Sequence, residues 1–260
     1  MRTYLIAALA ATTVAGGAAT ALAEDSGVSM SASVSPAKAG TLKDPRGATL
    51  RLNIVNGDSS RTMSKLIVLV PRTARVSTKG FKGCSEEKIV AGNCRKALGA
   101  GIAHALAGVS TFDPATQRQV RNPSPLSLYF KVTAHVMGKN RLGFHLQELR
   151  KDAQDRPTKT VNPSGLNLAA KARLRRASRP YGQKLIVTVP DQAKAYPTPT
   201  NFNGLVSLKT TLGGRSGKHR LVTTVGCVKH KYAFKANLKF IDNGITPATT
   251  LSAKDTSKCS

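Results

Sequence analysis

Hydrophobic and polar positions alternate along much of this chain with a period of two, the spacing of a strand that buries one face. In residues 48–56, Leu50, Leu52 and Ile54 alternate with Thr49, Arg51 and Asn53 before an Asn56-Gly57 stop. Residues 29–35 alternate and end at Pro36. Residues 126–137 alternate over a longer run, and a Gly138-Lys139-Asn140 turn joins them to 141–149 as a hairpin. Further strands are expected over 101–109, 204–212, 219–226 and 231–240, with the loop "GGRSGK" (213–218) closing a hairpin between the second and third.

Two segments, "KLIVLVP" (65–71) and "KLIVTVP" (184–190), are continuous apolar runs and nearly the same seven letters. Each reads as a buried strand covered on both faces, opened by an exposed Lys and stopped by Pro. Their flanks do not match. Cys84 and Cys94 follow the first in quick succession, whereas a Pro-rich loop and two strands separate the second from Cys227. The similarity is therefore one local solution used twice, not a duplicated domain.

Two segments invite a helix. In "CSEEKIVAGNC" (84–94), Ser85 is placed to cap a single turn carrying Glu86 and Glu87. In "NLAAKARLRRAS" (167–178), helix formers stand beside a basic face. With so little helix and so many Gly and Pro breaks, the expected class is all-β, an antiparallel β-sandwich of about ten strands, immunoglobulin-like or jelly-roll-like, with at most one or two short helices. One large domain over 24–260 is expected. The alternative is two small β domains, 28–150 and 160–260, joined at the polar stretch 150–164.

Residues 1–23 read as a secretory signal: Arg2 opens the segment, Leu5–Ala15 is a short apolar run, and Ala21-Leu22-Ala23 has the small-x-small form of a cleavage site before Glu24. No second long apolar run follows, so the expected location is secreted or extracellular, with surface association through non-covalent contacts. Four cysteines in an exported chain read as two disulfides. Of the three connectivities, local closure favours Cys84–Cys94 and Cys227–Cys259, each stabilising by about 2–4 kcal/mol. Spacings of 10 and 32 residues do not match the close CxxC pairs of a structural zinc site.

Charge changes the picture more than any motif. The chain holds 40 Lys and Arg against 13 Asp and Glu, a net charge of +27. Such an excess draws polyanions and bears on partners, not on fold. The basic residues also cluster. Lys171, Arg173, Arg175, Arg176 and Arg179 fall close together; Arg215, Lys218 and Arg220 flank the 213–218 loop; Lys229 and Lys231 bracket His230 before a strand. If their turns share one end of the fold, they make a polyanion-binding surface whose affinity falls with salt.

Several stretches together resemble a family of exported β-rich proteins of actinobacteria. These are "FKGCS" (81–85), "GNCRKALGAGIA" (92–103), "RPYGQKLIVTVP" (179–190) and "TTVGCVKHKYAF" (223–234), with Cys259 near the C-terminus. The resemblance covers residues 30–259 and rests mostly on Cys, Gly and turn residues. It implies an exported β-rich protein and brings no known activity, so no functional residue carries over. The chain departs from the pattern at Arg95 and Ala97, where that family more often shows Pro and Gly or Ser.

Catalytic patterns are weak. A glycosidase needs two facing carboxylates, and Glu148 with Asp113 is the conceivable pair. His104, His135 and His145 fall in strands, and His135 and His145 are positioned to face each other across the 138–140 turn, where cross-strand packing is the simpler reading than a metal pair. "GGRSGK" lacks the Walker spacing and lies between strands. The chain has no Trp, which leaves Tyr129, Tyr181, Tyr196 and Tyr232 as the aromatic platforms open to a sugar. The leading expectation is a non-enzymatic exported protein, without cofactor or metal, that binds an anionic wall polymer, an anionic membrane surface or another polyanion without specific nucleic-acid recognition. A structural or adhesion module binding another protein through a strand edge is the alternative, and an unrecognised hydrolase the second alternative.

Overall fold

The computed structural model describes residues 27–260; the signal-peptide assignment at 1–23 lies outside the described residues. The chain is all-β, with 59% strand and 4% helix. In order, the elements are β1 (Val28–Ser35), β2 (Arg46–Gly47), β3 (Thr49–Asn56), β4 (Thr62–Pro71), β5 (Ala74–Val76), α1 (Glu86–Val90), β6 (Gly99–Asp113), β7 (Arg118–Arg121), β8 (Leu126–Gly138), β9 (Arg141–Lys151) and β10 (Pro157–Val161). Then follow β11 (Asn167–Arg176), β12 (Tyr181–Thr188), α2 (Asp191–Lys194), β13 (Phe202–Leu212), β14 (Arg215–Ser216), β15 (His219–Arg220), β16 (Val222–Thr224), β17 (Lys231–Ile241) and β18 (Thr249–Lys258).

One large antiparallel sheet runs β1-β3-β13-β6-β8-β9-β11-β12-β4-β17-β18, with β7 hairpinned onto β6 and β10 onto β9. Its two end strands meet, so the sheet is nearly closed. The Asp255 carboxylate accepts a bond from the Ala32 amide at 2.6 Å, and the Ser257 hydroxyl accepts from the Val34 amide at 3.3 Å. Side chains of β18 thus satisfy edge amides of β1 that a free edge would present to another chain. Strands from the two halves of the sequence interleave: β13 lies between β3 and β6, and β4 between β12 and β17. The polar stretch 150–164 holds β10, which pairs back onto β9.

The two KLIV segments are neighbours. β4 and β12 pair antiparallel with Ile67 opposite Ile186, Val68 opposite Leu185 and Leu66 opposite Val187, so a local two-fold passes through the paired isoleucines. Burial is one-sided, unlike the two-faced cover expected. Leu66, Val68, Val70 and Leu185 are buried, while Ile67, Leu69 and Ile186 stay partly exposed on the outer surface.

The helix expected over 167–178 is instead strand β11. Its register overrides helix propensity: Leu168, Ala170, Ala172 and Leu174 are buried, Lys171, Arg173 and Arg175 are exposed, and β9 and β12 bond it on both sides. The short helix at Ser85 forms as expected. The Ser85 hydroxyl accepts from the Lys88 amide at 3.4 Å, and Glu86 and Glu87 occupy the first turn. Ile89 of α1 is fully buried and sits over Gly143 of β9, where a Cβ would come within 2.5 Å of its Cδ1. Gly143→Val is expected to lift α1 off the sheet and lower stability by about 1–3 kcal/mol in denaturant unfolding.

Both expected disulfides are present, Cys84–Cys94 and Cys227–Cys259. No helix among the described residues is long and apolar enough to cross a membrane.

Candidate functional site

Because neighbouring strands alternate in direction, the connections sort into two groups at opposite ends of the sheet. At one end lie 36–48, 71–98, 138–140, 177–180 and 213–230, with both disulfides. Backbone bonds knit this disulfide end together: Ser260 to Ala37, Cys259 to His230, Val225 to Thr73 and Gly213 to Leu98. The small β2-β16-β5 sheet and the β14-β15 ribbon belong to it. At the far end lie 57–61, 114–125, 152–166, 189–201 and 242–248.

All ten basic residues singled out from the sequence are exposed. Arg176, Arg179, Arg215, Lys218, Arg220, Lys229 and Lys231 fall at the disulfide end, and Lys171, Arg173 and Arg175 run along the outer face of β11 toward it. Lys171 is ion-paired with Glu86 at 2.7 Å. The sequence reading missed Arg72 and Arg75, which follow β4. With Arg176 and Arg179 they line a cleft of about 450 Å³ beside the β11–β12 turn. Among the described residues none of these four arginines pairs with a carboxylate. The signal for Arg72 and Arg75 was a Pro-stopped strand followed by two cations, and it becomes readable only once the strand order places that turn beside 177–180.

The register discloses a second feature. Like charges stand directly opposite one another on neighbouring strands: Arg173 and Arg141, Arg175 and Lys184, Lys65 and Lys239, Lys235 and Lys254, Lys231 and Lys258, Arg215 and Arg220. Directly opposed like charges destabilise a sheet. Lys65 and Lys239 lie toward the far end, where cations also stand beside carboxylates. Asp113 stands opposite Arg118, and ion pairs join Arg61 to Asp58, Lys151 to Asp155, Arg156 to Asp152 and Lys194 to Asp191.

The other candidate residues are engaged locally. The Glu148 carboxylate accepts from the Leu166 amide at 2.9 Å and from the Asn162 side chain at 3.2 Å. Asp113 accepts from the Ala115 amide and the Thr116 hydroxyl in its turn. His104 stacks on Tyr129 with ring centroids 4.3 Å apart. His135 lies opposite Gly143 and His145 opposite Thr133, so the two histidines share a face and are offset diagonally. Both are buried; His135 Nδ1 bonds the Lys96 carbonyl at 2.9 Å and His145 Nε2 bonds the Asn167 side chain at 2.6 Å.

Burial lowers the pKa of His135, the Lys96 carbonyl opposes that shift, and the charge of His145 adds to it. In the unfolded chain the ring protonates at its ordinary value near 6.5. The fold therefore favours the neutral ring, and this stability is complete above about pH 6.5 and is lost as pH falls from there toward the lower folded value. The denaturant midpoint is expected to drop as pH falls below about 6.5, and His135→Gln is expected to flatten part of that drop. An unchanged pH profile in the variant would contradict this role.

Comparison with known proteins adds no family: no protein-family model matches the chain, and no curated protein matches it.

Proposed function

We propose that this is an exported, non-enzymatic β-sandwich protein, one domain over 24–260, that docks on a polyanion through its disulfide end and the adjoining outer face of β11, β12, β4 and β17. The partner class is an anionic wall polymer, an anionic membrane surface or another extracellular polyanion. The observation that carries the reading is the polarity of charge. Most of the directly opposed cations and the carboxylate-free arginines lie at or toward the disulfide end, Lys65 and Lys239 being the exception, while four ion pairs lie at the far end and a fifth joins Lys171 to Glu86. A surface that keeps like charges in register gains most from a counter-charge arriving from outside. Export is supported by the two disulfides, and a single unit by the interleaving of early and late strands.

The test is retention of the purified protein on immobilised polyphosphate across a salt gradient. Retention at physiological ionic strength with elution at higher salt is expected. Flow-through at physiological salt would contradict the proposal.

A further inference from the structure

The interior of the sheet is filled unevenly. Toward the disulfide end Val70, Val136, Leu142, Leu174 and Phe234 occupy it. Toward the far end a cavity of about 130 Å³ remains. Its walls carry small residues where neighbouring strands carry large ones: Ala103 and Ala105 on β6 and Ala170 on β11. Any of the three alanines replaced by Leu would take up much of that space, so the hollow is written into the inward-facing positions.

The chemistry of the lining limits what can enter. The remaining walls are aliphatic or phenyl, with Phe130 and Phe144 facing the space and no charged side chain. Of the polar residues, Asn203 is already engaged. Its side-chain oxygen accepts from the Gly108 amide at 3.0 Å, and its nitrogen donates to the Ala193 carbonyl at 3.3 Å. Thr210 makes long bonds to two backbone carbonyls. A polar head placed here would find no partner, whereas hydrocarbon gains by leaving water. Dry apolar cavities of this size take up hydrocarbon.

The far-end wall is thin. Pro190 and Ala193 of the α2 segment close it together with Leu166. Leu166 also lines an outer groove of about 750 Å³, along with Tyr196, Pro197, Phe202 and Ile241 and, on its rim, Gln192 and the Asp191–Lys194 ion pair. Cavity and groove thus share one side chain as their partition. We infer that the far end takes up an unbranched hydrocarbon chain, its terminal carbons in the cavity and the rest along the groove. This is a second site, at the opposite end from the cationic one and of opposite chemistry.

The test uses decanol carrying a labelled terminal methyl, a neutral probe that the cationic end does not attract. Magnetisation transfer from that methyl to the Phe130 and Phe144 rings is expected in the wild-type protein, with affinity insensitive to salt. Ala170→Leu is expected to weaken binding at least about tenfold while keeping or raising the thermal midpoint. A parallel arm with phosphatidylcholine vesicles labelled at the acyl terminus distinguishes the source. Transfer to the rings from vesicles assigns the chain to a membrane lipid, and transfer from decanol alone assigns it to a free aliphatic molecule. No transfer to either ring in either arm, or undiminished binding by folded Ala170→Leu, would overturn the inference.

Discussion

Replacing Arg72, Arg75, Arg176 and Arg179 together by Gln is expected to reduce binding to a short DNA duplex of arbitrary sequence, used as a polyanion of known charge spacing. The salt slope of log K should fall by about one for each phosphate that the variant no longer neutralises. These four guanidiniums line one cleft, are exposed, and have no carboxylate partner among the described residues. They are held in the turn after β4, on β5, at the end of β11 and in the turn that follows it, all exposed, so their removal leaves the core untouched and the thermal midpoint should hold or rise as repulsion is relieved. Replacing Arg61, Lys151, Arg156 and Lys194 at the far end is the matched control. All four are already ion-paired, and the variant should bind with an unchanged slope. Changing the duplex sequence should also have no effect, because the cleft offers charge and not a base-reading element. Equal losses from both variants would mean that net charge alone governs the interaction.

The second large effect concerns the covalent tie at the same end. Cys227→Ser with Cys259→Ser is expected to lower stability by roughly 3–4 kcal/mol and the thermal midpoint by about 10 °C. This bridge closes the open end of the β17–β18 hairpin, whose register runs from Lys231 opposite Lys258 to Phe240 opposite Thr249. Without it the opposed Lys231 and Lys258 pair is free to splay, and β18 carries the Asp255 and Ser257 side chains that hold the β1 edge. Loss should therefore begin at the β1–β18 seam, and amides of Ala32 and Val34 are expected to exchange faster than those of β4 or β12. A variant that melts with the wild-type midpoint, or that exchanges uniformly, would show that the seam does not depend on the bridge.

How much of this was legible in the sequence varied with how local the signal was. Alternation placed β1, β3, β8, β9 and β17 because each buries one face and carries its own period. The Ser85 cap announced α1, and short spacing announced both disulfide pairings. β11 read as a helix because Ala, Leu, Lys and Arg are good helix formers, and only hydrogen bonds from β9 and β12 decide otherwise. β18 went unseen because its inward positions include Asp255 and Ser257, which serve the β1 edge and not the core. The flanks of the matched KLIV runs argue against repeats, but nothing local says that the two runs pair with each other. The cationic end depended on a question that single strands cannot answer, namely which turns share an end. The far-end hollow was hidden for the same reason: Ala105 and Ala170 are ordinary small residues until the topology sets them around one space.

The most direct measurement is acylation footprinting of lysines with and without polyphosphate. Protection of Lys218, Lys229 and Lys231 at the disulfide end, with Lys159 at the far end as reactive as in the free protein, is the expected result. Protection spread evenly over both ends, or concentrated at Lys159, would contradict docking through the disulfide end.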